Sequence, residues 1–219
     1  MEKVRTISIT LFFFTLVSVS SFSNLLVVVA SSQINPKNYN ITAFFVFGDS
    51  TLDPGNNDRL TTSLRGDHPP YGRDFKGGIA TSRFTYGKLI TDIIVSSLGI
   101  KDSVPAYLDP NITNHDLLTD VNFSSAGTGL DNMTANLGNV IHMSTQLVEF
   151  QKCVARIQAT VGNATAADII QNAIFTIGAS TNDMLFNYYD IPTRRVGYSL
   201  SGYQDFLLRN LETFVKVRI

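Results

Sequence analysis

Apolar and polar positions come in blocks along this chain, and the period of the blocks changes from element to element. An unbroken run of apolar residues at 43–47, Ala-Phe-Phe-Val-Phe, reads as a strand buried on both faces, and it stops abruptly at Gly48-Asp49-Ser50. Leu89, Ile90, Ile93, Ile94 and Leu98 share one face of a helix expected over 85–98, with Gly99 placed to end it. A second strand is expected at 121–125, running into Ala126-Gly127-Thr128-Gly129. Ser144 and Thr145 are candidate caps for a helix that carries Leu147, Phe150, Val154, Ile157 and Val161 at helical spacing and closes at Gly162. A short helix at 166–171 precedes a third strand at 173–177, which ends in the polar loop Gly178 to Asp183. Tyr203, Phe206, Leu207, Leu211 and Phe214 mark a last amphipathic helix.

Strands and helices therefore alternate, which predicts an α/β fold with a central parallel sheet and helices on both faces. In such a sheet the polar junctions at Ser50, Gly127 and Asn182 emerge on one edge, where open α/β sheets place their chemistry. The turn-rich segment from Pro54 to Ser82 is too long for a simple connector, so it is expected to shape a site and to lie over Ser50.

The amino terminus changes the picture. Lys3 and Arg5 precede an apolar run, and Val28-Val29-Ala30 before Ser31-Ser32 fits the small-residue rule for cleavage, so residues 1–30 read as a secretory signal peptide and 31–219 as one domain. The alternative is an uncleaved anchor, which Ser20, Ser21, Ser23 and Asn24 interrupt. Residues 31–219 keep 15 of 17 basic and 17 of 18 acidic side chains, a balance that offers no basic patch to nucleic acid or to a membrane surface. No stable membrane insertion is expected once the signal is removed. Asn-x-Ser/Thr sites at Asn40, Asn111, Asn122, Asn132 and Asn163 agree with a secreted, extracellular or cell-wall glycoprotein, although Asn122 falls inside a strand-like run. The single Cys153 is either a buried free thiol or one half of a bridge whose partner is not in this chain.

Ser50 at a strand end is a candidate nucleophile for acyl transfer. Its own N–H, the N–H of Gly127 and the side-chain amide of Asn182 are candidate oxyanion donors. Gly127 lets a substrate oxygen approach the backbone, and Asn182 supplies an uncharged NH₂. The motifs Phe47-Gly48-Asp49-Ser50, Asp53-x-Gly55-Asn56-Asn57, Pro70-Tyr71-Gly72-Arg73-Asp74-Phe75, Arg83-Phe84, Asn122-Phe123-x-Ser125-Ala126-Gly127-x-Gly129 and Thr181-Asn182-Asp183 with Asn187-Tyr188 follow one order and spacing. Together they resemble the plant branch of the GDSL esterase/lipase family, within the SGNH hydrolases. The resemblance implies a flavodoxin-like three-layer α/β/α fold and hydrolysis of carboxylic esters, lipid or acyl, without a cofactor or metal. It places the nucleophile on Ser50 and the oxyanion residues on Gly127 and Asn182. No Gly-x-Ser-x-Gly elbow is present, which disfavours the larger α/β-hydrolase fold.

The same resemblance implies an Asp-x-x-His near the carboxyl end that completes the triad, and no Asp here has His three residues later. The triad Asp and His are thus absent from this chain, and the histidines present, His68, His115 and His142, match no family position. The chain is expected to be a carboxyl-truncated member with an incomplete sheet. It is read as a secreted serine esterase, or alternatively as an inactive pseudoenzyme or gene fragment. An anchored interaction protein remains if the leader is retained. Three positions depart from the family pattern, with Ser82, Asp120 and Ser180 standing where glycine is usual, and Gly178 is a candidate to offset the last change.

Overall fold

A computed structural model describes residues 41–216, so the expected signal peptide and Asn40 lie outside the described residues. Strand β1 (Phe44–Gly48) forms the middle of a three-stranded parallel sheet of order β2-β1-β3, where β2 is Asp120–Asn122 and β3 is Ile174–Gly178. Phe45 pairs with Val121 on one side and with Phe175 on the other. Parallel neighbours need long crossovers, and helices supply them. Helices α1 (Ile90–Ser97) and α2 (Asn114–Thr119) lie between β1 and β2, and α3 (Asn132–Gly138), α4 (Met143–Val161) and α5 (Asn163–Gln171) lie between β2 and β3. A π-helix (Asp183–Asp190) and α6 (Leu200–Lys216) follow β3.

Side chains of β1 alternate between two cores, which is why its sequence is apolar throughout. Phe45 and Phe47 face Phe123, Phe150, Cys153, Ile157, Tyr203 and Leu207, while Phe44 and Val46 face Leu52, Val95 and Val104. The sheet thus lies between α1 on one face and α4 and α6 on the other, in the expected three layers. Phe47 stacks on Phe123 at 5.2 Å between ring centroids and meets Phe150 edge-on at 5.6 Å. Such pairs add about 0.5–1.5 kcal/mol each beyond the area they bury.

Several boundaries differ from the sequence expectation. Helix α1 starts at Ile90 rather than Thr85, because the carbonyls of Thr85 and Tyr86 accept from Gly72 and Asp74 of the long loop and Asp92 caps the Leu89 N–H. Strand β2 ends at Asn122, whose side-chain oxygen takes the Ser124 N–H and turns the chain. Helix α4 begins after His142, so Ser144 and Thr145 fall inside its first turn and cap nothing. The loop from Pro54 to Ser82 is tied to the end of α3: Thr62 donates to the Gly138 carbonyl and Asn139 donates to that of Thr61. Its far end is fixed by a buried pair in which Arg83 donates to Asp92 at 2.8 Å and to the Val104 carbonyl at 3.0 Å.

Asn122 is fully buried, with its amide donating to the Leu52 carbonyl, so it cannot carry a glycan in this fold; Asn111, Asn132 and Asn163 are exposed. Among the described residues no helix is long and apolar enough to cross a membrane. Cys153 is a free thiol inside the larger core, and burial pushes it up to about 12. Titration with a thiol reagent is therefore expected to find no reactive thiol in the native protein and one in denaturant; immediate native reaction would contradict this packing.

Candidate active site

The chain leaves β1 through Gly48, whose φ of +146° and contact with the Gly178 carbonyl leave no room for a Cβ. Gln146, fully buried on α4, clamps this residue from the side: its oxygen accepts from the Gly48 N–H and its NH₂ donates to the Gly48 carbonyl, both at 2.9 Å. A tight turn follows. Asp49 donates its N–H to the Gly178 carbonyl at 3.0 Å, and its carboxylate accepts from the N–H and hydroxyl of Thr51. Burial raises the Asp49 carboxyl above its ordinary value, against these donors. Ser50 sits half-buried on this turn, and its hydroxyl has no hydrogen-bond partner among the described residues.

Three residues later the turn is tied to the loop after β2. The Asp53 carboxylate accepts from the N–H groups of Gly55 and Asn56 at 2.8 Å each and from that of Ala126 at 2.9 Å. Asn56 donates to the carbonyls of Asn122 and Ser124, and Asn57 donates to that of Ala126. Full burial pushes Asp53 up to about 6, while the three backbone donors pull the other way, so at neutral pH it is the carboxylate that all three can use. Gly127 follows directly, with φ +85°, and the Leu64 side chain occupies the space that a Cβ would fill. A side chain there would be strained by the backbone and would have to displace the end of Leu64.

The third junction is held by the same device. Asn182 donates one N–H of its amide to the Thr128 carbonyl at 2.9 Å, next to Gly127, and its second N–H has no partner among the described residues. Its neighbour Asp183, fully buried, accepts from the N–H groups of Leu130 and Asp131 at 2.8 and 3.0 Å and from the Thr134 hydroxyl. Burial pushes Asp183 up to about 6. Asn187 of the π-helix adds a bond from its amide to Thr134 at 2.7 Å. Ser50 and Gly127 thus stand on loops and Asn182 at the first turn of the helix after β3, at one edge of the sheet, cross-tied through Asp53 and Thr128. Such an edge can present a hydroxyl and uncharged N–H donors to a carbonyl group. No group of three His, Cys, Asp or Glu side chains among the described residues is arranged to hold a metal ion.

The model of the GDSL-like lipase/acylhydrolase family matches residues 44–216, from the first strand to the last helix described. The chain belongs to this family. It is 47% identical over 176 residues to the GDSL esterase/lipase At2g31550 of Arabidopsis thaliana, covering 80% of this chain and 49% of that protein. The GDSL esterase/lipase At5g45960 of the same plant is 41% identical over 180 residues, 82% of this chain and 48% of the relative. The chain spans about half the length of the curated relatives it matches. No solved structure matches it.

Two of the departures from the GDSL pattern fall on strained backbone. Ser82 has φ +64° and Ser180 φ +101°, a region that glycine adopts freely and serine only at a cost. Gly178 does not offset the second, because its backbone lies outside the left-handed region. Ser82 gains a hydrogen bond from its hydroxyl to Asp58, whereas the Ser180 hydroxyl has no partner among the described residues. Asp120 is a different case: it starts β2 in extended conformation, buried, with Lys101 at 3.6 Å.

Among the described residues no histidine hydrogen-bonds to Ser50. His68 is exposed against Tyr71, His115 is exposed on α2, and His142 contacts Asn132 at 3.3 Å. Sequence reasoning missed Gln146 and the structural role of Asp183. Gln146 carried a signal, since it is the polar residue on the buried stripe of α4 beside Leu147 and Phe150. Replacing Ser180 by glycine is expected to relieve about 1 kcal/mol of strain and raise the unfolding midpoint by about 2–4 °C. Ser82→Gly should gain less because it also loses the Asp58 bond; calorimetry of the two variants checks the order.

Proposed function

We propose that this chain carries the nucleophile and oxyanion half of a secreted serine hydrolase acting on carboxylic esters. Ser50 Oγ attacks the acyl carbon, and the carbonyl electron pair moves onto oxygen. That oxygen is received by the N–H groups of Ser50 and Gly127 and by the free N–H of Asn182. The C–O bond then breaks, the alcohol leaves with a proton, and water releases the acid from Ser50 by the reverse sequence. Each oxyanion donor is worth about 10²–10³ in kcat at comparable sites. The observation that supports this reading is the cross-tying of the three segments, Asp53 to Ala126 and Asn182 to Thr128, at the end of the strand that presents Ser50.

The serine proton needs a base, and the family resemblance assigns it to an Asp-x-x-His that these 219 residues do not contain. Loss of the histidine in a serine triad costs on the order of 10⁶ in kcat, leaving about 10³–10⁴ over water. Exposed Asn111, Asn132 and Asn163 are the sites proposed to carry glycans on the exported protein.

A fluorophosphonate probe is expected to modify Ser50 slowly and no other residue, with p-nitrophenyl butyrate hydrolysis near background and both signals lost in Ser50→Ala. Fast Ser50-dependent turnover would overturn the missing base. Absence of any Ser50 adduct after long exposure would favour the inactive-fragment reading instead.

A further inference from the structure

Beside Gly127 lies a partly open, mainly apolar cavity of about 180 Å³, lined by Gly127, Thr134, Leu137, Gly138, Phe186 and Ile191. Its walls come from the segments that directly follow the two oxyanion candidates. Helix α3 follows the Gly127 loop and supplies Thr134, Leu137 and Gly138, and the π-helix follows Asn182 and supplies Phe186. Ile191 caps the end of that helix.

On the rim, Leu137 and Ile191 are 52% and 45% exposed, so apolar surface faces solvent at the mouth of a cavity that begins at a proposed oxyanion donor. The side toward the long loop is closed by Leu64, which packs into the space left by two missing Cβ atoms. It fills that of Gly127, and its Cδ1 lies 2.8 Å from where a Gly138 Cβ would be. The buried hydroxyl of Thr134 is turned away, committed to Asp183 and Asn187, so it asks nothing of a ligand. What remains suits hydrocarbon.

We infer that this cavity is the acyl pocket of the site and that it selects esters of short to medium acyl chains, with Leu64, Phe186 and Ile191 setting the length. The inference rests on the esterase reading, because only that reading puts a carbonyl oxygen at the Gly127 N–H. An apolar cavity of about 150 Å³ takes up one benzene, so this one holds an acyl tail of about six carbons. Each methylene that enters should tighten binding about fourfold. Further carbons lie along the exposed rim and add little.

The test is a binding series on the full chain that needs no turnover: N-methylalkanamides from four to twelve acyl carbons, with Kd measured by ligand-observed NMR. Affinity should rise about fourfold per carbon to about six carbons and then level. Leu64→Ala should move the break to longer chains and Ile191→Trp, at an exposed position, to shorter ones. A steady rise with no break, or a break that neither variant moves, overturns the pocket. N-alkylacetamides, which carry the chain on the other side of the amide, should show no break; a break in that series alone would give the cavity to the alcohol and overturn the acyl assignment. Fluorophosphonate labelling of Ser50 in the same samples separates the two layers. A break without labelling keeps a hydrocarbon pocket and removes the esterase reading, and labelling without a break does the opposite.

Discussion

The buried carboxylate of Asp53 joins two loops that the sheet itself leaves apart. Beyond the ends of parallel strands the ladder stops, and every backbone N–H and carbonyl of the emerging loops needs another partner. Asp53 takes three such N–H groups, one of them on Ala126, while Asn56 and Asn57 donate to three carbonyls between Asn122 and Ala126. The turn that bears Ser50 and the loop that bears Gly127 are thereby one rigid body. An arrangement of donors held before the substrate arrives is what electrostatic stabilisation of an oxyanion requires.

A second carboxylate repeats the device one loop further on. Asp183 gathers the backbone of Leu130 and Asp131 as Asp53 gathers that of Ala126, and so carries Asn182 to the Thr128 carbonyl. Gln146 closes the arrangement from below by taking both polar groups of Gly48. Burying these groups is costly unless each finds its partners, and most do, but the Ser124 and Thr128 hydroxyls and Asn187 Oδ1 are buried without one among the described residues. Local strain adds to that cost: Ser180, two residues before Asn182, is held at φ +101° with no side-chain bond in return. The loop that aims the candidate amide is the weakest part of the site.

Much of the fold was legible because burial has a period. The Phe44–Phe47 run, the stripe from Leu147 to Val161 and the aromatic face of the last helix each report the surface they cover. Boundaries were misread where carbonyls are taken by distant partners, as when Gly72 and Asp74 claim Thr85 and Tyr86 and delay α1. The π-helix was hidden because Asp183, Asn182 and Asn187 make the segment after β3 look like a polar loop, when their side chains face inward to bond. Ser50, Gly127 and Asn182 were visible as residues of a motif. The clamp was not, because Asp53, Asn56 and Asn57 meet backbone atoms 66 to 73 residues away, and backbone groups leave no mark in sequence.

Amide hydrogen exchange at Ala126 tests the central claim most directly, because loop amides ordinarily exchange through small local openings and core amides only through large ones. If Asp53 fixes the two loops as one body, the Ala126 N–H should exchange as slowly as the Phe123 N–H, which bonds to the Val46 carbonyl inside the sheet. Exchange of Ala126 at the rate of an open loop, with Phe123 still protected, would show that the Ser50 turn and the Gly127 loop move independently and would contradict the account.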